Sequence, residues 1–116
     1  DSLTIGTKVI SAPTVQALTS GTAITILNGV VTLNNGASII AATLASPVAT
    51  TDDFKKLTII SLTAKAHTVT PAAHFCNGGG GMVKSTFGGA IGDNLELIAY
   101  QGYWYVIGGR NQTISA

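Results

Sequence analysis

The chain has 116 residues, enough for one domain with one modest core. Only 9% of it is charged and the formal net charge is +1, against about 25% charged in ordinary soluble domains. Lys8, Lys55, Lys56, Lys65, Lys84 and Arg110 are scattered, so the basic stripe of a nucleic-acid binder is missing, and a surface this poor in ions would meet partners through shape, hydrogen bonds and apolar area.

In chain order, residues Asp1–Ser20 hold no Asn-Gly turn and no aromatic residue. Leu3, Ile5 and Val9 fall on one parity, with Thr4, Lys8 and Ile10 on the other. Such a segment can add as a strand to the sheet edge of another molecule; the ordinary alternative is a frayed terminus. Helical periodicity is weak throughout, and its best candidate, Ala12–Leu18, is short. The chain therefore divides into an N-terminal arm, 1–20, and a β-domain, 21–116.

Ala23–Leu27 and Val30–Leu33 flank Asn28-Gly29, which predicts a type I′ hairpin because both central positions need positive φ. Asn35-Gly36 is a second turn leading into Ser38–Leu44. Thr51-Asp52-Asp53 reads as a polar turn, and Lys56–Leu62 as a strand rich in β-formers. His67–Thr70 follows and Pro71 ends it, since proline cannot donate to a ladder. Asn77–Gly81 is a glycine loop; Gly88, Gly89 and Gly92 mark another. Asn94–Tyr100 and Tyr103–Ile107 form a hairpin around Gln101-Gly102, with Leu95, Leu97 and Ala99 on one face. The fold class is all-β: a small antiparallel β-sandwich or barrel of short strands.

The lone Cys76 excludes an intrachain disulfide, and no apolar run approaches the roughly 20 residues that cross a bilayer as a helix. No charged n-region and apolar h-region open the chain, so a soluble protein not secreted through its own signal is expected, a signal already removed being the alternative.

Few residues suggest chemistry. Gly78–Gly81 followed by Met82-Val83-Lys84-Ser85 nearly spells a phosphate-binding loop, but Val83 stands where the motif needs Gly, and Thr86-Phe87-Gly88-Gly89 starts a helix poorly. His67, His74 and Cys76 offer at most three soft ligands, whereas a structural zinc site takes four. Asp52 and Asp53 are adjacent and suit a turn better than paired acid–base work. No Gly-x-Ser-x-Gly elbow exists, and Asn111-Gln112-Thr113 matches a glycosylation acceptor by coincidence if the chain is not secreted. No enzymatic activity, cofactor or metal is expected. Tyr100, Tyr103 and Tyr105 are a candidate surface aromatic cluster; Trp104 alternates with Val106 and belongs to the core.

Between Gly36 and Gly109 the order of elements is distinctive: Ala42-Thr43-Leu44-Ala45-Ser46-Pro47, Lys56-Leu57-Thr58-Ile59-Ile60-Ser61, Ala66-His67-Thr68-Val69-Thr70, Phe87-Gly88-Gly89-Ala90-Ile91-Gly92-Asp93, then Leu97-Ile98-Ala99-Tyr100-Gln101-Gly102-Tyr103-Trp104-Tyr105-Val106. This series resembles small β-structured virion proteins of tailed bacteriophages: capsid decoration (cement), head fibre and tail fibre modules. The resemblance implies a homotrimeric structural protein on the outer capsid surface, made in the host bacterial cytoplasm. It would bridge subunits of the major capsid protein, without nucleic-acid or membrane partners. It also implies capsid binding through the arm, where Leu3, Ile5, Val9 and Ile10 are the candidate contacts. The alternative within the same family is a fibre module that binds a host surface glycan. Cys76 and the loop Gly78–Gly81 depart from the pattern and have no role in it.

Overall fold

The computed structural model describes residues 2–5, 8–11, 14–26, 28–75 and 81–116. Cys76 and Gly78–Gly80, singled out above, lie outside the described residues. Twelve strands are present among those described: β1 Ser2–Ile5, β2 Lys8–Ser11, β3 Thr14–Leu18, β4 Ala23–Ile24, β5 Gly29–Leu33, β6 Ala41–Leu44, β7 Lys56–Ser61, β8 Thr68–Pro71, β9 Lys84–Phe87, β10 Asn94–Tyr100, β11 Tyr103–Arg110 and β12 Gln112–Ser115. The all-β expectation holds. The weakly helical Ala12–Leu18 contributes strand β3, since a short amphipathic pattern alone does not sustain a helix.

The strands form two five-stranded sheets that enclose the core, in the order β11-β10-β7-β5-β3 and β12-β9-β8-β6-β4. From β3 to β8 the chain alternates between them. Strands β3, β5 and β7 are parallel neighbours in the first sheet, and β4, β6 and β8 in the second. This part of the chain is a two-layer parallel coil, each turn giving one strand to each sheet. Strands β9 to β12 then run antiparallel along the far side. The sandwich is thus mixed, which corrects the antiparallel expectation.

The hairpin expected at Asn28-Gly29 is also replaced. Its two arms lie in different sheets, β4 in the second and β5 in the first. Gly29 serves a close approach instead. A Cβ there would lie 1.9 Å from the Thr14 carbonyl oxygen, so β3 can pack beside β5 only against glycine. The Asn28 side chain accepts a hydrogen bond from the Lys56 amide, tying this crossover to the next turn of the coil. By contrast, Gln101-Gly102 is a true hairpin turn. Both residues have positive φ (47° and 88°), and Tyr100 pairs with Tyr103 across it.

Between the layers, β-branched and leucine side chains alternate inward, as half-buried strands require. Val31, Leu33, Leu57, Ile59, Leu95, Leu97 and Ala99 come from the first sheet, with Ile24, Ala42, Leu44, Val69 and Phe87 from the second; Trp104 and Phe75 fill the remaining space. Trp104 is core, as its alternation predicts, and its Nε1–H donates to the Ala45 carbonyl at 2.9 Å.

Polar side chains stack the turns of the coil. Asn35 donates from Nδ2 to the Thr19 carbonyl, and Thr63 donates from Oγ1 to the Asn35 carbonyl. Beside them, His67 is fully buried: Nδ1 accepts from the Ile40 amide, and Nε2 lies 2.9 Å from Thr63 Oγ1. Those partners require a neutral imidazole with its proton on Nε2. Burial lowers the His67 pKa, with a smaller push from the Lys65 charge.

Candidate interaction surface

Three aspartates and His67 are held by hydrogen bonds within the fold. Asp52 accepts from the Val48 amide and pairs with Lys55 at 2.7 Å; the Lys55 bond, then the Val48 bond, holds its pKa below the usual value. Asp53 takes the amides of Thr50 and Gln101 and the Gln101 side chain, and the Gln101 amide is the main cause of its lowered pKa. Asp93 is buried, which alone would raise its pKa. Donation from Ala90, Asn111, Gly89 and Gly88 outweighs burial and lowers it. These carboxylates lock turns. His67 is likewise saturated, and His74 stacks on Tyr103 with ring centroids 5.2 Å apart. Among the described residues no group of three His, Cys, Asp or Glu side chains could hold a metal ion. Lys84-Ser85 opens strand β9 rather than a helix, so the near-motif for phosphate lacks its structural context.

Attention therefore falls on the outer faces of the two sheets. In the first, register aligns Val15, Val30, Thr58 and Glu96 in one row and Ala17, Thr32, Ile60, Asn94 and Arg110 in the next. A third row runs Lys56, Ile98, Tyr105, and Tyr100 pairs with Tyr103 beyond it. Val15 is 65% exposed, and Ile107, pushed out by the bulge opposite Glu96 and Leu97, is also exposed. The face mixes apolar side chains with polar and charged ones (Lys56, Thr58, Asn94, Glu96 and Arg110) and ends in aromatic rings.

Of the expected cluster, Tyr100 and Tyr105 meet at that end, Tyr103 pairs with Tyr100 in register but stacks its ring on His74, and the structure adds Phe54. The Phe54 ring lies 5.6 Å from that of Tyr100, which lies 6.3 Å from that of Tyr105. Phe54, Ile98, Tyr100, Tyr105 and Ile107 line a shallow depression of about 490 Å³. Phe54 is 67% exposed and has φ of 68°, a conformation that bulky residues avoid. Its amide is clamped to the Ala99 carbonyl at 2.6 Å, and the neighbouring Asp53 is bound to Gln101. The tip of β10 and β11 thus holds a strained backbone in place and presents an aromatic ring to solvent. Nothing in the sequence flags Phe54, because its partners are some 46 residues away.

On the second sheet the outer face is of another kind. One row aligns Ala41, Thr68, Thr86 and Thr113; a second aligns Ala23, Thr43 and Thr70. Apart from the two alanines these side chains carry hydroxyl groups, and that of Thr43 donates to the Thr22 carbonyl.

The candidate arm residues form a third region. β1 and β2 pair with each other, Leu3 opposite Ile10, Thr4 opposite Val9 and Ile5 opposite Lys8. The single alternating strand expected there is a hairpin. Residues Thr14–Leu18, assigned above to the arm, pair with β5 in the first sheet.

No protein-family model, no curated protein and no solved structure matches the chain significantly.

Proposed function

We propose that this chain is a structural virion protein that decorates and cements a bacteriophage capsid, assembled as a homotrimer and bridging subunits of the major capsid protein. The observation that carries the reading is the aromatic end of the first sheet. There a strained, exposed Phe54 leads a run of rings and aliphatic side chains. Strain persists only where the surroundings hold it, and it concentrates at functional positions. Aromatic residues on a rigid scaffold supply large contact area at little entropy cost. The rings of Phe54, Tyr100 and Tyr105 carry no charge, so a protein neighbour can cover them without desolvating ions. Three joined chains would then engage a threefold position cooperatively, since binding of the second and third copies becomes intramolecular.

The test is sedimentation with undecorated heads of the phage that encodes the chain. The unaltered protein binds at a fixed ratio to the major capsid protein. Tyr100→Glu, which puts a charge among the rings, lowers affinity at least about 30-fold, the effect of losing a central anchor of roughly 2 kcal/mol. Equal occupancy by Tyr100→Glu, or absence of binding by the unaltered protein, overturns the reading.

The same rings support a second reading, a fibre module on which a host glycan stacks. Tyr100 and Tyr105 would carry it, because Trp104 is buried and offers no face. Saturable binding of a surface polysaccharide, lost in Tyr100→Ser, would favour this reading over the capsid one.

A further inference from the structure

We infer that copies of this chain join by exchanging their N-terminal hairpins, strand β2 of one copy adding to the free edge of β3 in the next. This goes beyond the virion reading and stands without it.

Edge strands are normally blunted by charge, bulges or shortness. Of the four edges of the two sheets, β4 has two residues, and β11 is interrupted by the bulge opposite Glu96 and Leu97 and ends in Arg110. β12 has four residues. β3, Thr-Val-Gln-Ala-Leu, is the longest edge without a charge or a bulge among the described residues. Thr14 donates its amide to Asn28, and Leu18 accepts from Asn34, so alternation turns the backbone groups of Val15 and Ala17 away from β5. Beside them opens a depression of about 710 Å³ whose lining includes Val15, Ala17, Thr25 and Ile26. The core behind it is already sealed. The Gln16 side chain bridges the layers, donating to the Ala23 carbonyl and accepting from the Thr25 amide. The open end of the coil is thus finished as a core boundary and left unfinished as a sheet edge.

The hairpin has the complementary deficit. β1 and β2 form a two-stranded sheet that pairs with neither larger sheet among the described residues. Two strands alone are marginal in water; a third gives the pairing independent stability. β2 cannot fold back onto its own β3 through a tight turn. Only Ala12 and Pro13 separate them, and two-residue hairpin turns need positive φ at the first central position. Ala12 resists that conformation, the more so as it precedes a proline, and Pro13 fixes its own φ near −65°. A second copy can supply that third strand without such a turn. Addition in one direction around a ring closes a trimer without leaving an edge over.

Two variants separate the parts. Deleting residues 1–11 leaves the edge and removes the hairpin. Val15→Pro leaves the hairpin and blocks the edge, and it costs no existing ladder bond because the Val15 amide faces outward. Ala17→Pro serves the same purpose should Val15→Pro fail to fold. By analytical ultracentrifugation, the unaltered chain is expected to run as a multimer and each variant as a monomer with unchanged circular dichroism. A 1:1 mixture of the deletion and the proline variant is expected to restore a two-chain complex and nothing larger. A monomeric unaltered chain, a multimeric proline variant or an inert mixture overturns the inference. None of these measurements involves a capsid, so the failure of one proposal is distinguishable from that of the other.

Discussion

The two outer sheet faces share one core and differ in what they show to water. On the first, Val15, Val30, Ile60, Ile98 and Ile107 lead to the rings of Phe54, Tyr100 and Tyr105. On the second, Thr43, Thr68, Thr70, Thr86 and Thr113 alternate with buried side chains and have only alanines beside them in their rows. Low charge alone does not make a surface adhesive. Exposed threonine hydroxyls can hydrogen-bond water, and Lys84, on the same parity as Thr86, adds one charge to the second face. The first mixes its apolar side chains with Lys56, Thr58, Asn94, Glu96 and Arg110, and its apolar area gathers at the end that holds the strained Phe54. The aromatic end of the first face has no counterpart in the threonine rows of the second.

That comparison can be attacked from several sides. Leu97→Ala, in the core beneath both faces, is expected to cost about 2–5 kcal/mol in a denaturant melt, because it removes a fully buried side chain. A smaller loss would mean that the layers are not close-packed. Next in size is the contrast between Tyr100→Glu and Thr113→Glu. Both are surface changes and should alter stability by less than about 0.5 kcal/mol. If the chain binds capsids as proposed, the first is expected to lower that affinity at least about 30-fold and the second to leave it within a factor of about two; equal losses would erase the distinction between faces.

Phe54→Gly should sharpen it further. Relieving the left-handed backbone is expected to stabilise the protein by about 0.5–1 kcal/mol after the added chain entropy of glycine, while capsid affinity falls. A destabilised variant would show that the ring packs for the fold alone. The smallest effect concerns pH. The folded pKa of His67 is depressed below 6.5, so the unfolded chain binds the proton more readily. Stability contributed by neutral His67 is present above about pH 6.5 and is lost as pH falls below it. The thermal midpoint should decline from pH 7 to pH 5.5, and less steeply in His67→Asn. A second decline below pH 3.8 is expected as Asp52, Asp53 and Asp93, all with lowered pKa, take up protons and release their turns.

The β10–β11 hairpin was legible because its signals are local: alternation on both sides of Gln101-Gly102 and two positive φ values at the turn. The same logic failed at Asn28-Gly29. The glycine answers to the Thr14 carbonyl of another strand, which no local pattern records. Short strands such as β9, Lys84–Phe87, and β12, Gln112–Ser115, carry too few alternations to stand out. At the candidate surface the tyrosines were visible as a cluster. Phe54 was not, since it reaches Tyr100 only through the clamp between its own turn and the end of β10.

Composition and side-chain parity, both properties of neighbouring residues, determined by themselves that this is a β-protein with Trp104 inside and few ions outside. The tertiary structure alone decided which strands are partners, that the first half coils in parallel, and that one face gathers aromatic rings at its end where the other presents rows of threonine. Parallel pairing joins residues that are 15 to 28 positions apart in the first sheet, such as Thr14 with Gly29 and Gly29 with Leu57. At that separation the choice of partner rests on how whole layers pack around the core, and a local sequence pattern carries no record of it.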